Sequence, residues 1–124
     1  IKNRNVLGIF CERAKNNQTI QIINNGERIQ DFISAHDIAS FINLAIKKKP
    51  NGIFNVVYGK TTSINKLAKL CASLSDSSDL ENRVSSDKES DYFPYFSNKK
   101  AFEILGWRPK VSLKKGLKEI INAK

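Results

Sequence analysis

The chain has 124 residues, with 21 Lys and Arg against 12 Asp and Glu and a formal net charge of +9, which is enough material for one packed domain and too little for a complete two-domain enzyme. No apolar run approaches the roughly 20 residues a bilayer-spanning helix needs, and no basic, apolar and small-residue succession marks a secretory signal, so the chain reads as a soluble one without a membrane partner. The positive balance suits nucleic acid, a membrane surface or a phosphorylated small molecule, and Lys47–Lys49, Lys99, Lys100, Lys114 and Lys115 stand at helix ends and polar faces where solvation accounts for them.

In chain order, Val6, Leu7, Phe10, Cys11 and Ala14 recur at helical spacing, which predicts a helix over residues 4–15 ended by Asn16 and Asn17. A strand is expected at Thr19–Ile23, then a tight turn at Asn24, Asn25 and Gly26, residues that tolerate positive φ, then a second strand over Ile29–Ser34. Asp37 is the expected cap of a helix whose stripe is Ile38, Phe41, Ile42, Ala45 and Ile46, closed by lysines and Pro50. The run Ile53–Val57 has the continuous apolar character of a buried, parallel strand, with Gly59 closing it.

Ser63 then caps a helix with Ile64, Leu67, Ala68, Cys71 and Leu74 inward, and the Ser- and Asp-rich stretch after it reads as a surface loop with one short strand near Arg83 and Val84. A short helix runs from Ser97 to its left-handed stop at Gly106, and Ser112 caps the last one through Leu113, Leu117, Ile120 and Ile121. Cys11 and Cys71 fall on apolar faces and read as buried free thiols, which implies a reducing, cytoplasmic setting. The chain opens on Ile1 and contains no Met, so an upstream segment is expected to have been removed.

Few residues carry chemistry on their own. The single His36 precedes a helix and reads as a solvated or capping residue, no metal-ligand spacing occurs, and neither a Walker loop nor a GxGxxG turn is present. The carboxylates between residues 75 and 91 read as a solvated loop.

The order of three stretches says more. "TIQIINNGERIQDFISAHDIASFINLAI", "GIFNVVYGKTTSINKLAKL" and "KESDYFPYFSNKKAFEILGWRPKVSLKKGLKEII" together resemble the carboxyl-terminal half of the nucleotide-sugar epimerase/dehydratase family, the extended short-chain dehydrogenases/reductases that include UDP-glucose 4-epimerase, over about Val6 to Ile121. The resemblance implies an α/β fold, here an α+β fragment: one C-terminal substrate-binding domain over residues 1–124, lacking the N-terminal Rossmann domain. It implies NAD(P) in the parent protein and none bound by this fragment, since the family's glycine fingerprint and catalytic Tyr-xxx-Lys pair belong to the other half. No catalytic residue is expected in the chain.

Carried over residue by residue, the family's glycine turn falls on Gly26 and its Arg-Asp-Phe/Tyr-Ile strand on Gln30, Asp31, Phe32 and Ile33. The family arginine lies against the substrate diphosphate, and here the slot holds Gln30, a neutral amide. Arg28, two residues earlier on the strand, is the expected compensating cation. Gln21, Ile22 and Ile23 stand where the family runs main chain beside the nucleotide base, and Asn5 stands near a substrate-touching asparagine. Asn55 matches a strand-end asparagine, and Lys88 and Asp91 take the place of a second diphosphate arginine and its loop partner. Trp107 is expected to pack under the final helix.

The implied partners are a nucleotide-diphosphate sugar, the N-terminal dinucleotide-binding domain and a second copy of the chain, in nucleotide-sugar or surface polysaccharide synthesis. The alternative is a non-catalytic regulator or scaffold of the same fold. A nucleic-acid role would rest on Phe93, Tyr95 and Phe96 beside Lys99 and Lys100, and is disfavoured.

Overall fold

A computed structural model of the chain describes residues 5–75, 79–85 and 95–123. The elements run α1 (Val6–Lys15), β1 (Ile20–Ile23), a 3-10 turn (Asn24–Gly26), β2 (Ile29–Asp31), α2 (Ala35–Lys48), β3 (Thr61–Ser63), α3 (Ile64–Ala72), β4 (Leu80–Arg83), α4 (Lys99–Leu105) and α5 (Leu113–Asn122). They gather into two compact units, both discontinuous in sequence: one from Ile1–Gln30, Thr62–Phe93 and Lys114–Lys124, the other from Asp31–Thr61 and Pro94–Leu113. β2 and β3 are hydrogen-bonded to each other as a two-stranded sheet.

The first unit is built on a parallel pair, with Ile20, Gln21, Ile22 and Ile23 of β1 opposite Leu80, Glu81, Asn82 and Arg83 of β4. Period-two alternation buries Ile20 and Ile22 in a core of Phe10, Cys11 and Ala14 from α1, Ile64, Leu67, Ala68 and Cys71 from α3, and Leu117 and Ile121 from α5. Asn5 caps α1 by accepting from the Gly8 N–H at 2.8 Å, so its amide has a local structural duty. Ser63 caps α3 through the Lys66 N–H, as its sequence position predicts.

The turn after β1 has φ of 47°, 60° and 63° at Asn24, Asn25 and Gly26. A Cβ on Gly26 would come within 2.6 Å of the Asn65 nitrogen and 2.7 Å of Ile22 Cγ2, so glycine is required there by space as well as by conformation. Side chains tie this turn to the end of β4: Asn82 accepts from the Asn25 N–H at 3.1 Å and donates to the Asn25 side chain, and Asn24 accepts from the Ser85 N–H at 2.9 Å.

Cys11 and Cys71 are both free and buried, as expected. The Cys71 thiol is pushed far above its ordinary value because it donates to the Cys11 sulfur and is desolvated, so it stays protonated and inert.

In the second unit, Phe41, Ala101, Leu105 and Trp107 form the buried centre, with Ile33, Leu44, Ala45, Phe54 and Val56 packed against it. Trp107 meets Phe41 of α2 edge-on at 5.3 Å between ring centroids and donates its Nε1–H to Ser40 Oγ at 2.9 Å. Its aromatic and hydrogen-bonding partners are thus on α2. Gly106 ends α4 at φ 68°, as expected.

The expectation for Asp37 is corrected. Ser34 caps α2, accepting from the His36 N–H, while Asp37 sits within the first turn, 3% exposed. Its two oxygens accept the Lys110 and Val111 N–H groups at 2.8 and 3.0 Å, a contact spanning more than seventy residues. Asp31 does the same for another loop, accepting the Tyr58 and Gly59 N–H groups at 2.9 and 2.7 Å. Two carboxylates six residues apart thus each neutralise a pair of remote backbone donors.

The run Ile53–Val57 belongs to no strand, and Ile53 is 88% exposed. Side chains take its carbonyls instead: Lys100 Nζ donates to Ile53 O at 2.9 Å and Asn98 Nδ2 to Val57 O at 3.1 Å. The buried parallel strand read from its apolar residues is absent because a ladder partner is absent among the described residues. The stripe on α2 is likewise only partly covered. Phe41 is buried, whereas Ile42 and Ile46 remain 51% and 67% exposed.

Candidate functional site

The first unit holds a cavity of about 360 Å³ lined by Val6, Ile9, Phe10, Arg13, Gln21, Ile23, Arg28, Ile64 and Arg83. Each element contributes through its own period. The turn-spaced Val6, Ile9, Phe10 and Arg13 of α1 form one wall. Gln21 and Ile23, two apart on β1, face the same side, and Arg83 reaches it from its place opposite Ile23 on β4. Arg28 arrives from the segment before β2, where its carbonyl accepts the Ile64 N–H at 2.9 Å.

Among the described residues the lining is five apolar side chains, one amide and three guanidiniums, with no carboxylate. Arg13 is aimed by a bond from its NH1 to the Thr19 carbonyl at 2.7 Å, and Gln21 Nε2 donates to Glu81 Oε2 at 3.1 Å. Arg28 Nε is buried and has no acceptor among the described residues. An apolar wall facing a concentrated positive charge suits a ligand with a planar or apolar part and an anionic part, as a nucleotide has.

Of the residues expected to bind substrate, Gln21, Ile23 and Arg28 converge on this cavity. Ile22 points the other way into the core, 5% exposed. Gln30, in β2 two residues after Arg28, is not among the lining residues, and Asn55 is exposed in the other unit. Lys88 and Asp91, with Phe93, lie outside the described residues. Sequence reading missed Arg13, treated only as part of a helix, and Arg83, noticed only as a strand residue. A parallel pairing between segments sixty residues apart is what brings Arg83 in.

Tyr95 and Lys99 do have the Tyr-xxx-Lys spacing, which bears on the expectation that the catalytic pair belongs elsewhere. The spacing is not realised as one helix face, because α4 begins only at Lys99, Tyr95 is 77% exposed, and Lys99 is 3.5 Å from Glu103. The described strand-to-helix joints do not fit a dinucleotide either. β2 leads to α2 through Phe32, Ile33 and Ser34, and β3 runs directly into α3, with no glycine turn at either joint. No group of three potential metal ligands occurs among the described residues.

No protein-family model matches the chain. It is 30% identical over 119 residues to a Methanocaldococcus jannaschii protein assigned by name to UDP-glucose 4-epimerase, covering 94% of this chain and 38% of that protein. Human dTDP-D-glucose 4,6-dehydratase is 29% identical over 123 residues, with 94% and 35% covered. Among solved structures, the UDP-glucose 4-epimerase of Thermotoga maritima with UDP-glucose superposes with a TM-score of 0.79 at 32% identity, over 94% of this chain and 38% of that one. The chain is a homologue of the carboxyl-terminal part of nucleotide-sugar epimerases and dehydratases. Its α/β fold is that of the extended short-chain dehydrogenase/reductase fragment expected from the motifs, and it spans little more than a third of the length of these homologues.

Proposed function

We propose that this chain is the nucleotide-diphosphate-sugar binding part of an NAD(P)-dependent epimerase or dehydratase acting in nucleotide-sugar synthesis in the cytoplasm. The cavity of the first unit carries the proposal: three arginines with no carboxylate among the described lining residues, beside an apolar wall reached by Gln21 and Ile23. Hydride transfer and the cofactor site belong to a dinucleotide-binding domain, for which this chain supplies no glycine turn.

Ile38, Ile42 and Ile46 on α2 and Ile53 are exposed in the second unit, and the run that Ile53 opens has no ladder partner among the described residues. Such a face favours a covering partner, either the dinucleotide-binding domain or a second copy. No helix of the described residues is long and apolar enough to cross a membrane.

Calorimetric titration of the intact protein with UDP, dTDP and UDP-glucose tests the proposal, saturable binding of at least one being expected; binding of none removes it. Gln30 in place of the family arginine favours a second reading, a non-catalytic scaffold of the same fold. That reading predicts no interconversion of a nucleotide sugar when NAD⁺ is supplied, whereas the enzyme reading predicts turnover.

A further inference from the structure

We infer that the diphosphate of the bound nucleotide is held by Arg28 and Arg83, with Arg13 completing the cationic wall, and that residue 30 has no part in it; this rests on the nucleotide-sugar reading above. The three guanidiniums come from the segment before β2, the end of β4 and the last turn of α1, and meet at one cavity. Glu81, two residues before Arg83, is engaged by Gln21 Nε2 and does not line the cavity. Among the described residues, then, the three guanidiniums share the lining with no carboxylate.

Arg28 is the centre of the arrangement. Its backbone is fixed by the Ile64 N–H, and its Nε is enclosed without an acceptor among the described residues. A buried donor without a partner is costly, and an incoming phosphate oxygen relieves that cost while the planar fork offers a second bond. Arg83 is exposed at the strand end opposite Ile23, where it can close over an anion after entry. The cation that the family pattern carries at position 30 has moved to neighbouring backbone, two residues upstream and across the β1–β4 pair.

The test is calorimetry of the intact protein with UDP, with uridine followed by ligand-observed NMR. Arg28→Gln and Arg83→Gln are each expected to weaken UDP roughly tenfold or more, the loss of a charge-assisted pair, and to leave uridine within about twofold. Gln30→Arg is expected to change UDP affinity by less than about twofold. If UDP binds and both arginine variants keep wild-type affinity, or if Gln30→Arg gives a tenfold gain, the inference is wrong while the nucleotide-sugar reading survives. Equal losses for UDP and uridine also overturn it, because the arginines then shape the cavity and do not hold the phosphates. Failure of wild-type protein to bind UDP, dTDP or UDP-glucose defeats the underlying reading instead.

Discussion

The two units solve the same problem, ordering loops around a small core, by different chemistry. The first relies on aliphatic burial around a parallel strand pair and on neutral asparagine bonds at the turn, and among its described residues no carboxylate lines the cavity beside the arginines. The second spends its acids on structure: Asp31 and Asp37 each take two backbone N–H groups, around an aromatic centre of Phe41 and Trp107. Where carboxylates hold loops they are unavailable to chemistry; where the described lining has none, arginines are free to face an anionic guest, as proposed above.

The most severe way to break that contrast is Trp107→Ala, which should cost about 3–5 kcal/mol by urea denaturation. Amide exchange of Leu67 and Cys71 would then report whether the first unit stays protected. Equal loss of protection in both would show that the units unfold as one and that the contrast is local.

Asp37→Ala leaves two enclosed N–H groups without acceptors. At about 1–3 kcal/mol each, the loss should be roughly 2–6 kcal/mol, with Asp37→Asn, which keeps one carbonyl acceptor, falling between it and the wild type. A loss below about 1 kcal/mol would mean water satisfies the Lys110 and Val111 amides.

Gly26→Ala probes the first unit's turn, and strain at φ 63° plus collision with Asn65 should lower stability by at least about 2 kcal/mol in the same denaturation experiment. An unchanged midpoint would show that the asparagine bonds let the turn relax. The smallest change expected is from Ile46→Lys, within about 0.5 kcal/mol for a side chain already exposed. Its readout is light scattering: self-association should fall, and an unaltered apparent mass would place any dimer contact elsewhere.

What sequence made legible was local. Ser63 as a cap, Gly106 as a helix stop and the Asn-Asn-Gly turn each follow from the preferences of a few neighbouring residues, and each is where those preferences put it. Asp37 shows the limit: an acidic residue at a helix start reads as a cap, but Ser34 is better placed, and the true partners of Asp37 lie at Lys110 and Val111. Residues 53–57 fail for a related reason. Apolar composition signals burial, while a strand also needs a hydrogen-bonded neighbour, which composition does not specify. Of the candidate site, the β1 residues and Arg28 were found through motif resemblance, but Arg13 and Arg83 carry no motif and enter only through tertiary pairing.

The interleaving of the two units sets a schedule for biosynthesis. Leu117 and Ile121 complete the core that Phe10 and Ile20 begin, and Lys110 and Val111 supply the donors that Asp37 awaits. A ribosome emitting this chain from its amino end therefore releases α1, β1 and α2 long before their partners exist. Both halves must close late, over long loops whose ordering is an entropic cost to folding. Truncation a dozen residues short would strip the last helix from one unit while sparing the other's two carboxylate contacts, so the nascent chain passes through a stage in which apolar surface awaits its final turn of synthesis.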